Sequence, residues 1–206
     1  MRPVSLCAVL CAFSAPPAIP SSIVYPHKAG ASPLTVVLDF RGPYAKDAVE
    51  EMRREVENLL RGTGRPIEWR SWQQATHAVF DEIAVIRFNG DCRAQFWPNG
   101  VAAQGALGST HISDGIVLPF SDVACDKIAS SVRFTVLGME RTRADMIFGR
   151  ALGRVVAHEL VHIMTRSTVH SHEGVTQSAF SPNELTGEKL DLSARDLLRI
   201  SEKERQ

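Results

Sequence analysis

His158-Glu159-Leu160-Val161-His162 decides how this chain is read. It lies in a segment where Met146, Ile147, Phe148, Ala151, Leu152, Val155, Val156, Leu160 and Ile163 recur with helical spacing over a wide face. Such breadth predicts a long helix sunk deep in the core. On that helix two histidines four residues apart stand one turn above each other on a single face, so both imidazoles can reach one zinc ion. Glu159 stands about 100° round the helix, placed to reach a metal-activated water rather than the metal. Two ligands and one general base are the division of labour of H-E-x-x-H zinc peptidases. Burying three polar groups without partners would cost several kcal/mol, and a metal removes that difficulty.

A catalytic zinc usually takes three protein ligands and keeps one position for water. Four of the seven histidines fall between positions 158 and 172, so donors are near. His170 is the first past the motif. Were the helix to continue, eight further residues would carry it about 12 Å along the axis, out of reach. The chain must therefore turn back, and Thr165-Arg-Ser-Thr-Val169, with its β-branched residues, is where the helix is expected to end. His172 and Glu173 follow, and Gly174 marks a turn. Glu184, farther on, is a fourth candidate of the gluzincin kind. Ser181-Pro182-Asn183-Glu184 also has a sufficient reading as a helix start, with Ser181 as N-cap and Glu184 closing a capping box.

His158-Glu-Leu-Val-His162, a turn, His170-Ser171 and then Gly174-Val175 together resemble the metzincin zinc peptidases. That resemblance implies an α+β domain with a small mixed β-sheet and a long active-site helix. It also implies one Zn²⁺ held by His158, His162 and His170, with Glu159 as the base for hydrolysis of protein or peptide substrates. The chain departs from the family pattern twice. Seven residues separate His162 from His170 where metzincins have five, with Thr165 at the position of their turn glycine. Thr176 stands where a methionine soon after the third histidine is expected, and no methionine follows Met164.

Upstream of the helix, Leu34-Thr-Val-Val-Leu-Asp-Phe40 is β-branched, bounded by Pro33 and Gly42, and reads as a strand. Val49, Met52, Val56, Leu59 and Leu60 recur at helical spacing from Ala45 to Arg61. Strands are expected at Ile67–Trp72 and Ile83–Phe88, so the chain opens with a β-α-β unit and parallel neighbours. Residues 91–130, rich in Gly, Ser and Asp, suggest one strand at Gly115 to Phe120, and a cleft strand alongside the helix is expected within Ala106 to Phe120. Helix is expected from position 139 onward, and Ser193-Ala-Arg-Asp196 opens another short helix. His27, His77 and His111 read as lead-in, helix-end and polar loop residues, His111 with the alternative of lining the cleft.

The composition permits this and excludes much else. The chain has 206 residues, is 44% hydrophobic and carries 23 basic against 23 acidic side chains. That fits one globular domain, here residues 21–206, and not a disordered or coiled-coil chain. Zero net charge argues against nucleic-acid binding, and no apolar run reaches the ~20 residues of a membrane span. Met1-Arg2, the apolar run Val4 to Ala15 and the prolines at 16, 17 and 20 have the layout of a signal peptide over residues 1–20, implying a secreted or periplasmic protein. Cys92 and Cys125 would then remain as an even pair, expected to be bridged by one disulfide, with two buried thiols as the alternative. The expectation is a secreted zinc metallopeptidase. The alternative is an exported zinc-binding domain without catalytic activity. Oligomeric state stays open.

Overall fold

The computed structural model describes residues 32–94 and 105–203; the leader expected over residues 1–20 lies outside them. The elements in chain order are β1 (Leu34–Phe40), α1 (Lys46–Leu60), β2 (Ile67–Ser71), α2 (Trp72–Ala75) and β3 (Ile83–Asn89). They continue with β4 (Gly108–Ser113), β5 (Ile116–Ala124), α3 (Cys125–Val136), α4 (Arg141–Thr165), α5 (Pro182–Thr186) and α6 (Ala194–Lys203). The architecture is α+β, with one five-stranded sheet in the order β2-β1-β3-β5-β4. β2, β1, β3 and β5 are mutually parallel, and β4 returns antiparallel to β5 along the edge. The β-α-β reading holds: β1 sits centrally, with Leu34 opposite Ile67 on one side and Thr35 opposite Ile83 on the other. Its near-continuous apolar run is what a strand covered on both faces requires.

One face of the sheet is covered by helices. Val36 and Leu38 of β1 and Ile86 and Phe88 of β3 share a core with Met52 and Val56 of α1 and Leu152, Val155 and Val156 of α4. α1 and α4 lie side by side, and α4 also runs against β4 and β5. The helix pair approaches closely because Gly149 and Gly153 face α1. A Cβ at Gly153 would lie 2.7 Å from Glu55 Cβ and 2.9 Å from the Met52 carbonyl oxygen.

Arg154, fully buried in the same helix, is held from three sides. Its Nε donates to Glu55 Oε1 at 2.7 Å, and Nη1 and Nη2 donate to the carbonyls of Glu184 (2.6 Å) and Gly187 (2.7 Å). One turn earlier, Arg150 donates to the Thr186 carbonyl at 3.1 Å. These bonds pin α5 to α4. The Cys92–Cys125 bridge is formed, with Cα atoms 4.9 Å apart, and ties the segment after β3 to the first residue of α3.

The structure corrects the reading of residues 105–136. The expected strand Gly115 to Phe120 starts one residue later and runs on to Ala124, and it pairs with an edge strand, β4, that lies within the Ala106 to Phe120 stretch expected to hold a cleft strand. Gly108-Ser-Thr-His-Ile-Ser113 holds a single large apolar residue because an edge strand pairs on one side and wets the other. α3, which precedes the helix expected from position 139, was also not anticipated. Its buried residues Ile128, Ala129, Val132 and Val136 do carry helical spacing. His111 is a strand residue rather than a loop one. Its Nε2 lies 2.5 Å from Asp122 Oδ2, on the sheet face away from α4. Trp72 opens α2 rather than ending β2.

Candidate metal centre

α4 brings His158, Glu159 and His162 into the interior at its C-terminal end, where all three are buried. The helix then stops at Thr165, within the stretch expected to end it. Arg166 takes a left-handed backbone conformation, φ 48° and ψ 42°, and its N–H bonds back to the carbonyls of His162 and Ile163. The reversal expected of a glycine is therefore made one residue past Thr165, by an arginine. It sends the chain back so that His170, exposed, meets the two helix histidines.

Ligating atoms of His158, His162 and His170 all lie within 4.8 Å of one another. Ring centroids are 4.7 Å apart for His158 and His162, 5.2 Å for His158 and His170, and 4.9 Å for His162 and His170. Among the described residues this is the one cluster of three potential metal ligands. His172, Glu173 and Glu184 are not in it. Glu184 is occupied in its capping box: its Oε2 accepts from the Ser181 N–H at 2.8 Å and its N–H donates to Ser181 Oγ at 3.2 Å.

The two buried imidazoles are oriented from behind. His158 Nδ1 donates to the Val175 carbonyl at 2.8 Å and His162 Nδ1 donates to the Ser167 carbonyl at 2.7 Å. A carbonyl oxygen only accepts, so Nδ1 carries the proton in both rings and Nε2 presents a lone pair. Burial pushes His158 down to about 4, against the opposing bond to Val175, and pushes His162 down as well. Both rings are therefore neutral near pH 7. Their Nε2 atoms nevertheless face each other at 3.0 Å. Two lone pairs at that distance repel unless a cation lies between them. Zn–N bonds of about 2.0–2.1 Å in tetrahedral geometry place ligand nitrogens about 3.3 Å apart. The donor set fits a zinc ion.

Glu159 points to the edge strand. Its Oε2 accepts from Thr110 Oγ1 at 2.6 Å, and Thr110 is linked in turn to Ser121 Oγ at 2.8 Å. Burial pushes its carboxyl up to about 7, the Thr110 bond holding it back. A cation nearby would favour the ionised form. The carboxylate fits under β4 only because residue 108 is glycine: a Cβ there would lie 2.5 Å from Glu159 Oε1 and 2.9 Å from Val155 Cγ1. Thr110 and Gly108 were not singled out by the sequence, which placed a cleft strand within Ala106 to Phe120 without naming the residues that line it. The expected cleft strand is thus β4. It lines a cleft of about 660 Å³ together with Ser178, Ala179, Phe180, the three histidines and Glu159. His111 does not line it.

The sequence matches no protein-family model and no curated protein. Among solved structures, archaemetzincin from Methanopyrus kandleri is similar, with a TM-score of 0.50 over 87% of this chain and 98% of that one, at 10% identity. The fold is archaemetzincin-like. That likeness covers the architecture, and the chemistry of this chain rests on its own residues. Among the described residues no helix is long and apolar enough to cross a membrane.

Proposed function

We propose that the chain is a zinc-dependent metallopeptidase in which His158, His162 and His170 hold one Zn²⁺ and Glu159 is the general base. The observation that carries the reading is the pair of lone-pair nitrogens 3.0 Å apart beside a third imidazole, with a buried carboxyl on the next helix residue. When bound, zinc supplies Lewis acidity, which makes water nucleophilic near neutral pH and polarises a carbonyl. The chain's own groups do the rest. The cleft beside β4 holds an extended peptide against the histidines. Thr110 holds Glu159 Oε2, which leaves Oε1 to take the proton of the attacking water and return it to the leaving amine. A positioned carboxylate of this kind can serve as base in the first transfer and as acid in the second. Export belongs to the same proposal, supported by the Cys92–Cys125 bridge, which is compatible with an oxidising compartment.

Glu159→Gln tests the mechanism. Casein hydrolysis should fall by ~10²–10⁴-fold, while zinc content, measured by elemental analysis, stays at the wild-type value. Zinc lost along with activity would make Glu159 a ligand and end this mechanism. Zinc bound by wild type with no hydrolysis of any peptide library would favour a non-catalytic zinc domain.

A further inference from the structure

The histidines take their orientation from two loops, and one helix holds both. The Ser167 carbonyl that receives His162 Nδ1 and His170 itself belong to the loop after α4. The Val175 carbonyl that receives His158 Nδ1 belongs to the next turn. Helix α6 packs against α4 and presents Asp196 and Arg199 to these segments. Asp196 is completely buried. Its Oδ2 accepts from Thr176 Oγ1 at 2.6 Å and from Ser193 Oγ at 2.7 Å, and its Oδ1 accepts from Ser171 Oγ at 3.1 Å. Thr176 follows Val175 directly, and Ser171 follows His170. Thr176 Oγ1 lies 2.7 Å from Ser171 Oγ, and the Ser171 N–H donates to the Thr176 carbonyl at 2.9 Å, so the two segments are also tied to each other. Arg199 Nη2 donates to Ser167 Oγ at 2.7 Å, its Nη1 reaches the Val169 carbonyl at 3.4 Å, and it pairs with Asp196 at 3.6 Å. Each of the three histidines therefore has a neighbouring or supporting residue gripped by this pair.

We infer that Asp196 and Arg199 are positioning residues for the metal centre: together they clamp the Ser167–Ser171 loop and the Val175–Thr176 turn so that His158, His162 and His170 converge. Neither touches the ligating nitrogens. Their effect runs through the backbone carbonyls and through the placement of His170, the one ligand carried by a loop rather than a helix. A buried carboxylate that receives three hydroxyl donors from three separate segments, with a guanidinium reaching Ser167 and Val169 of one of them, is more than capping α6 requires, since Ser193 Oγ already accepts the Asp196 N–H at 3.1 Å. Outer contacts of this kind typically change metal affinity 10–100-fold.

The inference rests on the zinc reading above, and its test separates the two. Zinc affinity of the full chain is measured by competition with a chromophoric chelator, and the visible absorption of the Co²⁺-substituted protein reports coordination geometry. Both are read at a temperature where circular dichroism shows each variant folded. Arg199→Ala should bind zinc ~10–100-fold more weakly and shift or broaden the cobalt bands. Arg199→Lys, which keeps a charge near Asp196 but cannot bridge Ser167, Val169 and Asp196 together, should fall between and serves if the alanine variant does not fold. Arg150→Ala is the control. It removes contacts of similar kind from the other end of α4, touches no ligand-bearing segment, and should leave affinity within about twofold of wild type while lowering stability. Arg199 variants that bind zinc like wild type with unchanged cobalt bands would overturn the clamp, as would an Arg150→Ala that weakens binding equally. A wild-type protein that binds no zinc would instead overturn the metallopeptidase reading.

Discussion

The two halves of α4 treat buried polarity in opposite ways. At Arg154, one turn before His158, the protein itself supplies partners for all three nitrogens of the buried guanidinium: the Glu55 carboxylate offsets its charge, and the carbonyls of Glu184 and Gly187 accept from Nη1 and Nη2. At His158 and His162 the outer nitrogens are equally well satisfied by Val175 and Ser167, but the inner ones face each other with nothing to donate. The first cluster is closed and holds the fold. The second leaves two acceptor nitrogens facing each other, the feature on which the zinc proposal rests. A buried polar group on an apolar helix is thus informative through what remains unpaired around it.

The contrast breaks most readily at His170. His170→Ala should weaken zinc binding by more than the ~100-fold that loss of a merely supporting contact brings, with His172→Ala near wild type and Glu184→Ala affecting mainly the α5 cap. A Glu184→Ala protein that sheds zinc while His170→Ala keeps it would assign the wrong third ligand. At the closed end, Arg154→Met should lower stability in urea unfolding by up to about 3 kcal/mol, because the half-buried Glu55 carboxylate loses its partner and the Glu184 and Gly187 carbonyls lose their donor. Its zinc affinity, measured on the folded fraction, should stay at the wild-type value. Replacing Cys92 and Cys125 by alanine should cost about 2–4 kcal/mol, chiefly through the unfolded chain, again without effect on zinc.

The smallest effect concerns acid stability. Burial raises the Asp196 carboxyl, but the hydroxyls of Thr176, Ser193 and Ser171 and the Arg199 charge outweigh it and leave the group below the ordinary carboxylate range. A depressed carboxyl stabilises the fold above its unfolded pKa of about 3.9 and loses that contribution as pH falls toward the lower folded value. Zinc-free Asp196→Asn should therefore show a flatter loss of stability below pH ~4 than wild type, read from melting temperatures across pH. Parallel curves would remove Asp196 from the electrostatic part of the account.

What sequence disclosed follows from how local each signal is. The H-E-x-x-H spacing, the end of α4 and the Ser181/Glu184 capping box are written within a few residues, and each is found where expected. β1 and β3 are legible because central strands need continuous apolar runs. β4 is legible only as a cleft strand somewhere within Ala106 to Phe120, because an edge strand over a cleft is built from Gly, Ser, Thr and His; its bounds, and Thr110 and Gly108 that seat Glu159, are not. α3 had a readable spacing, obscured by the Gly/Ser-rich stretch ahead of it. Arg154 had a signal too: a charge at a position flanked by Ala151, Leu152 and Val155 demands a partner. Asp196 was legible only as a cap, since Thr176 and Ser171 lie 20 and 25 residues away and meet it only in the fold.

The central claim, that the open end of α4 is a zinc site, is tested most directly by counting metal. The full chain, purified and dialysed against metal-free buffer, should retain one zinc per molecule by elemental analysis, and the His158→Ala/His162→Ala double variant should retain none. A wild-type protein that carries no zinc and takes none up on titration, while folded, would contradict the account.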